Sequence, residues 1–580
     1  MKNNARVTVL KFGSSVLRSE ADLPSAVHEI YRHWREGMQV IAVVSAFGDT
    51  TDQLTRRAEN RCVNPDRSAL ATLLATGEAV SSALLGMALN RTGIPFCVLD
   101  PAQAGLRTVG SKLDADPVAV DAARLLAESR RAVVVLPGFV GRGESGDTTL
   151  LGRGGSDLTA LFIAHRLSAR CVLVKDVDGL YTSNPACVTV RALRFAQASY
   201  ETAARLGGSQ VQLKAVRFAA AHRLRFSITS IGNGKATEVG PFSDRLDISA
   251  SSGEPLRVAL LGCGTVGGGV YERLAALPEL FTVTGVGTRT LERAPEVGVP
   301  PNLATSDLEA LIEKPCGVIV ELIGGTKRAA TLIERGLRLG RSVVSANKAL
   351  LAHGGVALEA LATEQGVSLR YSAAVGGILP ALETVRRARA AGSLRAFSGV
   401  LNGTCNFVLD QLAAGQSFAA AVALAQEHGY AEADPKFDIN GIDAAQKLML
   451  LARAAFDVNL PLHSIACKGI EGLNHASLRQ AQNRGLTVRL IAECRRTAQG
   501  LKASVKPTEL PVNHALAQVS GVGNRLLIEL ENEAPWLVSG TGAGRWPTTE
   551  AVMADLFDIR REMQLAETDE EIEEMEECVA

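Results

Sequence analysis

Between Gly429 and Lys447 the chain reads GYAEADPKFDINGIDAAQK, bringing the carboxylates of Glu432, Asp434, Asp438 and Asp443 close to the ammonium of Lys447. Carboxylates clustered in this way can receive a cationic amine, and a lysine beside them can move a proton or steady an oxyanion. The apolar, alanine-rich run from Ile442 to Phe456 predicts a helix, which sets Asp443 and Lys447 at i and i+4 on one face. The carboxylate then holds the ammonium in place. Taken alone, the cluster also fits a solvated loop and a surface ion pair. Its weight depends on what the rest of the chain builds around it.

Upstream, the apolar strand LRVALL (256–261) runs into Gly262-Cys263-Gly264-Thr265-Val266-Gly267, which opens a helix. Strand, GxGxxG and helix in that order form a dinucleotide-binding turn, with Gly262 for the tight bend, Gly264 for close approach of a pyrophosphate and Gly267 for helix–strand packing. The next strand (281–287) ends in Thr288-Arg289-Thr290, where an acid would select a free ribose 2′-hydroxyl. Arginine suits a 2′-phosphate, so NADPH is expected in preference to NADH. Two more strand ends, at Gly324-Gly325-Thr326 and Asn347-Lys348, complete the expected pocket, with Lys348 beside the nicotinamide. Asn402-Gly403-Thr404 reads as a turn offering two hydrogen-bonding side chains near the substrate. For Thr404 a plain β-turn is an equal reading.

The first third alternates apolar strands with amphipathic helices: RVTVLKF, then 23–37; MQVIAVVSAF, then 70–93; IPFCVLD, then 116–131; AVVVLPGFV, then 156–169; and CVLVKDVDGLY. That rhythm predicts a parallel sheet with helices on both faces and ligands beyond the strands' carboxyl ends. Polar residues collect there. Lys11 stands at the end of the first strand with Gly13 and Ser14 after it, Thr51 follows the second, and Glu78 sits on the long helix. Arg153 stands among glycines before Ser156-Asp157, expected to cap a helix whose free N–H groups face an anion. Asp176 and Tyr181 close the series in an acidic turn suited to a nucleotide.

The 580 residues are too many for one core and predict three or four units. Lys plus Arg and Asp plus Glu are 61 each, which removes an electrostatic case for nucleic acid or an anionic membrane. No signal segment and no bilayer-length apolar run is recognised, so a cytoplasmic protein is expected. The ten cysteines are scattered without CxxC, and HExxH is absent, against a disulfide framework or zinc site.

GCGTVGGG, ELIGG, VVSANKALLAHGG, LNGTCNFVLDQL, GYAEADPKFDINGIDAAQKL and GTGAGRWPTTEAVMADL, in this order, resemble the homoserine dehydrogenases. The resemblance implies that Glu432 and Asp438, with Asn402 and Thr404, bind homoserine or L-aspartate 4-semialdehyde. Lys348, Asp443 and Lys447 would handle the oxygen that gains or loses a proton, and Gly544 would lie near the cofactor. Relatives usually carry Glu-Ala-x-Val-x-x-Gly where this chain has Ser372-Ala373-Ala374-Val375-Gly376-Gly377-Ile378, so a monovalent cation loses its acidic ligand.

Residues 6–233 resemble the aspartate kinases of the amino-acid kinase family. This implies Lys11, Gly13, Ser14, Asp176 and Tyr181 at Mg-ATP, Thr51, Glu78 and Arg153 at L-aspartate, and phosphoryl transfer to the side-chain carboxylate. The departures are Ser14 for a second glycine, Lys175 for threonine, Ala186 for a basic residue, and Gln210-Val211-Gln212-Leu213-Lys214 for Lys-Val-Leu-His-Pro. Lys175 and Lys214 are candidate replacements for the lost cations. A non-catalytic binding or oligomerisation module is the competing reading.

The expected organisation is an α/β kinase-type domain (1–232), a linker too short for any regulatory ACT domain (233–255) and a Rossmann domain (256–352 with 541–561). An α+β substrate domain (353–540) and a frayed acidic tail (562–580) complete it. A homodimer or homotetramer is expected, as for related enzymes.

Overall fold

The computed structural model describes residues 6–579 except 185–191, 209, 248–253, 393 and 433, with side chains through Gln564. The chain divides into two compact units: Met1–Arg91 with Pro95–Ser252 and Arg561–Ala580, and Thr92–Ile94 with Gly253–Arg560.

In the first unit Val7–Phe12 is an interior strand of a nine-stranded sheet, parallel to Gln39–Val44 on one side and Arg170–Lys175 on the other. Its valine-rich neighbours are buried on both faces, which is why they read as continuous apolar runs rather than alternating ones. Residues 116–131, expected as one helix, are split. Asp114–Ala119 is a strand with alternating exposure, and Ala122–Ser129 a helix capped by the Asp121 side chain. Pro117 would stand in the first turn of a helix over 116–131, where proline is tolerated; the break follows from pairing of this strand with Arg107–Ser111. That strand belongs to a separate four-stranded sheet with Arg107–Ser111, Val140–Arg142 and Thr148–Leu150.

The segment expected as a linker is also largely structured. Thr237–Gly240 pairs between Phe226–Ser230 and Arg194–Ser199, and Arg245–Asp247 forms the sheet's edge. The buried Thr237 hydroxyl donates to the Phe195 carbonyl and accepts from the Leu180 N–H at 2.9 Å. These are long-range pairings with no local periodicity to announce them. The helix Arg67–Thr92 corrects a second expectation, being long and apolar enough to cross a bilayer by length and composition. In the fold Ala71, Leu85 and Leu89 bury one side of it.

The second unit carries two sheets. Six parallel strands run in the order Ala304–Thr305, Phe281–Gly287, Leu256–Leu261, Val318–Glu321, Ser342–Ser345, Leu369–Arg370. The order reverses beside Leu256–Leu261, the crevice where open α/β sheets bind dinucleotides. The C-terminal helix, beginning at Arg545, returns to this sheet. Phe557 meets Phe281 edge-on at 5.0 Å, and Glu550 pairs with the buried Arg273 at 3.4 Å.

The other sheet is antiparallel through Gly500–Pro511, Leu486–Thr497, Leu394–Val400, Gly523–Leu530 and Trp536–Thr541. Against its core lies the helix Ile442–Phe456, buried from Asp443 onward. Each fully buried leucine there contributes roughly 1.5–3 kcal/mol. The C-terminal helix backbone continues to Val579, so the acidic tail is helical rather than frayed. Its glutamates are good helix formers, a propensity that the charge-based expectation ignored.

Candidate functional site

Helix Ile442–Phe456 starts from Gly441, whose left-handed φ of 85° turns the chain in from the acidic loop. Its first turn carries Asp443 into the protein, and the next turn brings Lys447 Nζ to 2.9 Å from Asp443 Oδ2. Lys348, at the start of helix Lys348–Glu364, reaches the other oxygen of the same carboxylate at 3.0 Å. One buried carboxylate therefore carries two ammonium groups, one on each oxygen.

Asn402 caps helix Gly403–Ala413 and donates its amide to Asp438 at 2.6 Å and to Asp443 at 2.8 Å. Lys447 also donates to the Leu401 carbonyl at 2.9 Å, which Asn524 shares at 3.1 Å. Asn402 thus spends its donors on the acids rather than offering them to a ligand, and Asn524 is a supporting group that the sequence did not disclose. Thr404 likewise gives its hydroxyl to the Tyr430 carbonyl at 2.6 Å, a tie that fixes the loop. Glu432 is exposed, and its charge reaches Lys348.

The electrostatics follow from this arrangement. Burial alone would raise the Asp443 carboxyl, but the Lys447 and Lys348 ammonium groups outweigh it and hold the carboxyl far below its usual range. Burial, then the negative charge of Asp443, pushes Asp438 up. Asp443 raises Lys348 against its own desolvation, aided by Asp438 and Glu432. Asp438 is therefore an acid that would gain from an arriving cation, while Asp443 is already neutralised.

Beside the glycine turn, Gly262, Gly264, Arg289 and Gly324 line a cavity of about 440 Å³ together with Arg293 and Arg328. A Cβ on Gly267 would sit 2.0 Å from the Gly262 carbonyl, whereas one on Gly264 would meet nothing within 4 Å. The first glycine is required by packing and the second faces open space, as a pyrophosphate needs. Thr265 and Val266 begin the helix above it. Arg289 and Arg293 are exposed and have no ion-pair partner among the described residues, so the cavity suits a phosphorylated ribose. Arg293, missed in the sequence, lies one 3-10 turn past Arg289. Asn347 caps helix Lys348–Glu364 and ties to the Gly325 carbonyl at 2.6 Å. Gly544 starts the C-terminal helix, and the Ser372 hydroxyl bonds Glu383 at 2.6 Å and Asp555 at 2.8 Å.

In the first unit Lys11, Gly13, Ser14, Thr51, Glu78 and Arg153 line one cavity of about 490 Å³. Asp176 and Tyr181 stand off its wall. Asp176 is exposed, and Tyr181 donates to Asp178 at 2.5 Å while its backbone pairs with Arg194, drawing the chain sideways. Ala186 lies outside the described residues. Ser156 and Asp157 do not cap their helix. Gly154 occupies that position, and the buried Asp157 instead faces Lys11 at 2.7 Å and Lys175 at 3.0 Å.

Glu78 accepts the Ala46 N–H at 3.4 Å through one oxygen, and its other oxygen is buried without a hydrogen-bond partner. Burial pushes this carboxyl up from 4.5 to about 7, against the Ala46 N–H and the Lys11 charge. A carboxyl raised in the fold costs nothing below its unfolded value; the cost grows from about pH 4.5 to 7 and is full above, roughly 3 kcal/mol. Glu78→Gln is therefore expected to raise the denaturation midpoint of the ligand-free protein at pH 8 but not at pH 4. Equal shifts at both values would contradict an ionised, buried carboxylate.

Residues 6–230 match the family model described as amino acid kinase family, 262–372 the NAD binding domain of homoserine dehydrogenase, and 380–557 homoserine dehydrogenase. A homoserine dehydrogenase of Synechocystis sp. is 34% identical over 316 residues, 52% of this chain and 73% of that protein. Its counterpart from Corynebacterium glutamicum is 36% identical over 324 residues, covering 53% and 73%. The crystal structure of a homoserine dehydrogenase from Thiobacillus denitrificans superposes with a TM-score of 0.51 at 34% identity, covering 54% of this chain and 75% of that one. The chain therefore belongs to the homoserine dehydrogenase family and carries an amino acid kinase family domain ahead of it.

Proposed function

We propose that the second unit reduces L-aspartate 4-semialdehyde to L-homoserine with NADPH, and that the first phosphorylates L-aspartate from Mg-ATP. The observation that carries the first reading is the Lys348–Asp443–Lys447 bridge, with distances of 3.0 and 2.9 Å. An aminoaldehyde offers an ammonium to Glu432 and Asp438, and its carbonyl oxygen to the lysines. Asp438, raised by burial and by Asp443, regains its charge most favourably when that ammonium arrives. Lys348 and Lys447 meet the negative charge that develops on oxygen and supply its proton. Asp443 holds both lysines in place and favours the cationic form of Lys348. The bound nicotinamide supplies the hydride. Homoserine-dependent formation of reduced cofactor, followed by absorbance, tests the assignment, and its absence would refute it.

NADPH is favoured over NADH by Arg289 and Arg293, two guanidinium groups without an ion-pair partner among the described residues, at the cavity where the ribose edge would lie. Arg289→Asp is expected to raise KM for NADPH by about tenfold or more, the loss of one charge-assisted phosphate contact, with a smaller change for NADH. A ratio of the two KM values equal to wild type would contradict this.

The kinase reading is supported by a buried carboxylate oxygen on Glu78 without a hydrogen-bond partner among the described residues, suited to the amino group of aspartate, in the cavity that Arg153, suited to a carboxylate, also lines. Among the described residues no group of three acidic, histidine or cysteine side chains could hold a metal ion, so Mg²⁺ would enter with the nucleotide phosphates. Association of chains into a homodimer or homotetramer belongs to the same proposal.

A further inference from the structure

We propose that Lys175 is a second phosphoryl-binding lysine of the N-terminal site, acting beside Lys11 on the transferred group. Strands Val7–Phe12 and Arg170–Lys175 are parallel neighbours in which Lys11 pairs with Leu173. Lys175 is two residues past Leu173, so side-chain alternation sends both lysines to the same face of the sheet. Their ammonium groups meet on Asp157, at 2.7 Å for Lys11 and at 3.1 and 3.0 Å to the two oxygens for Lys175.

All three side chains are buried and line the cavity that holds Glu78 and Arg153. One carboxylate balances one ammonium. The second leaves a buried positive charge that repays its desolvation only when an anion enters. Lys214, the other candidate, is consumed elsewhere, bonding Asp114 at 2.7 Å, Asp116 at 3.1 Å and the Ala115 and Leu151 carbonyls at 3.0 Å, outside the cavity wall.

The inference rests on the phosphotransferase reading. In that step an oxygen of the aspartate side-chain carboxylate bonds to the γ-phosphorus as the bond to the β–γ bridging oxygen breaks. The electron pair leaves with the nucleoside diphosphate and no proton is transferred. Charge remains on the three peripheral oxygens, where Lys11 and Lys175 act. Burial, then repulsion by Lys11, lowers Lys175 to about 8, opposed by Asp157. The other groups facing this cluster are Cys171 on the same strand, Glu78 on helix Arg67–Thr92 and Arg153 at the cavity mouth. Rate at low ATP should therefore fall as pH rises through about 8.

The test uses the full chain, measuring aspartate-dependent ADP formation and equilibrium binding of a non-hydrolysable ATP analogue with Mg²⁺. Lys175→Met is expected to lower kcat roughly thirtyfold, as for loss of one transition-state charge contact, with homoserine oxidation unchanged. Lys175→Arg should keep most activity and lose the alkaline fall in kcat/KM for ATP, because arginine stays protonated. A kcat for Lys175→Met within twofold of wild type, or an unchanged alkaline fall in Lys175→Arg, overturns the proposal; if Lys175→Met does not fold, the arginine profile alone decides. Should wild type bind the analogue without turning over ATP, the transferase reading fails. Weaker binding by Lys175→Met would then support Lys175 as a phosphate ligand, and equal binding would overturn it. No binding by wild type overturns both.

Discussion

Replacing Lys447 by alanine is expected to lower the turnover of aldehyde reduction at least about a hundredfold, the scale lost with a proton-transferring group. The fold should tolerate the change, because Asp443 keeps Lys348 at 3.0 Å and the Asn402 amide at 2.8 Å. The loss should therefore appear in kcat at saturating substrate and leave KM for the nucleotide nearly unchanged, since Lys447 is not in the wall of the dinucleotide cavity. Steady-state kinetics of homoserine oxidation and aldehyde reduction measure both. Near-wild-type kcat would remove Lys447 from the chemistry and leave it a buried counter-ion. A rise in KM for the aldehyde or homoserine with kcat unchanged would assign it to binding.

Arg153→Ala is expected to reduce kcat/KM for aspartate phosphorylation by at least about a hundredfold, from two charge-assisted hydrogen bonds of roughly 1.5 kcal/mol each. The side chain is exposed at the cavity that Glu78 also lines, and no ion pair holds it among the described residues. Its removal leaves no buried charge stranded, so stability should change little and the kinetic loss can be read as loss of substrate contact. Coupled measurement of ADP release across a range of Mg²⁺ concentrations is the assay. Wild type that forms no ADP at any of them would make the first unit a binding or assembly domain. An active wild type with an equally active Arg153→Ala would move the substrate carboxylate to another group.

Where a segment buries one face or both, its chemistry was readable in advance. Helix Ile442–Phe456 has the bounds its apolar run predicts, and Asp443 and Lys447 meet across one turn because a helix brings i and i+4 together. The strand, GxGxxG and helix series is equally local, and Gly267 is fixed by a backbone contact within its own turn. The strand at Asp114–Ala119 was missed because Asp116-Pro117 also reads as a helix start. The interior strand Thr237–Gly240 and the edge strand Arg245–Asp247 gave no signal, because short strands of this kind are stabilised by partners distant in the chain.

What a polar side chain touches beyond its own helical turn was not legible. Asn402 looked like a substrate donor, yet it spends its amide on Asp438 and Asp443, 36 and 41 residues away. Lys175 and Lys214 were equal candidates by type, and only the register of two parallel strands brings the first to Asp157 while a hairpin captures the second. The amino acids alone determined which groups could ionise and which segments would be helix or strand, since both are properties of a residue and its near neighbours. Which charges meet, and so which ones titrate or stay free for a ligand, was decided by tertiary packing, because a Coulomb interaction depends on separation in space and on burial rather than on separation along the chain.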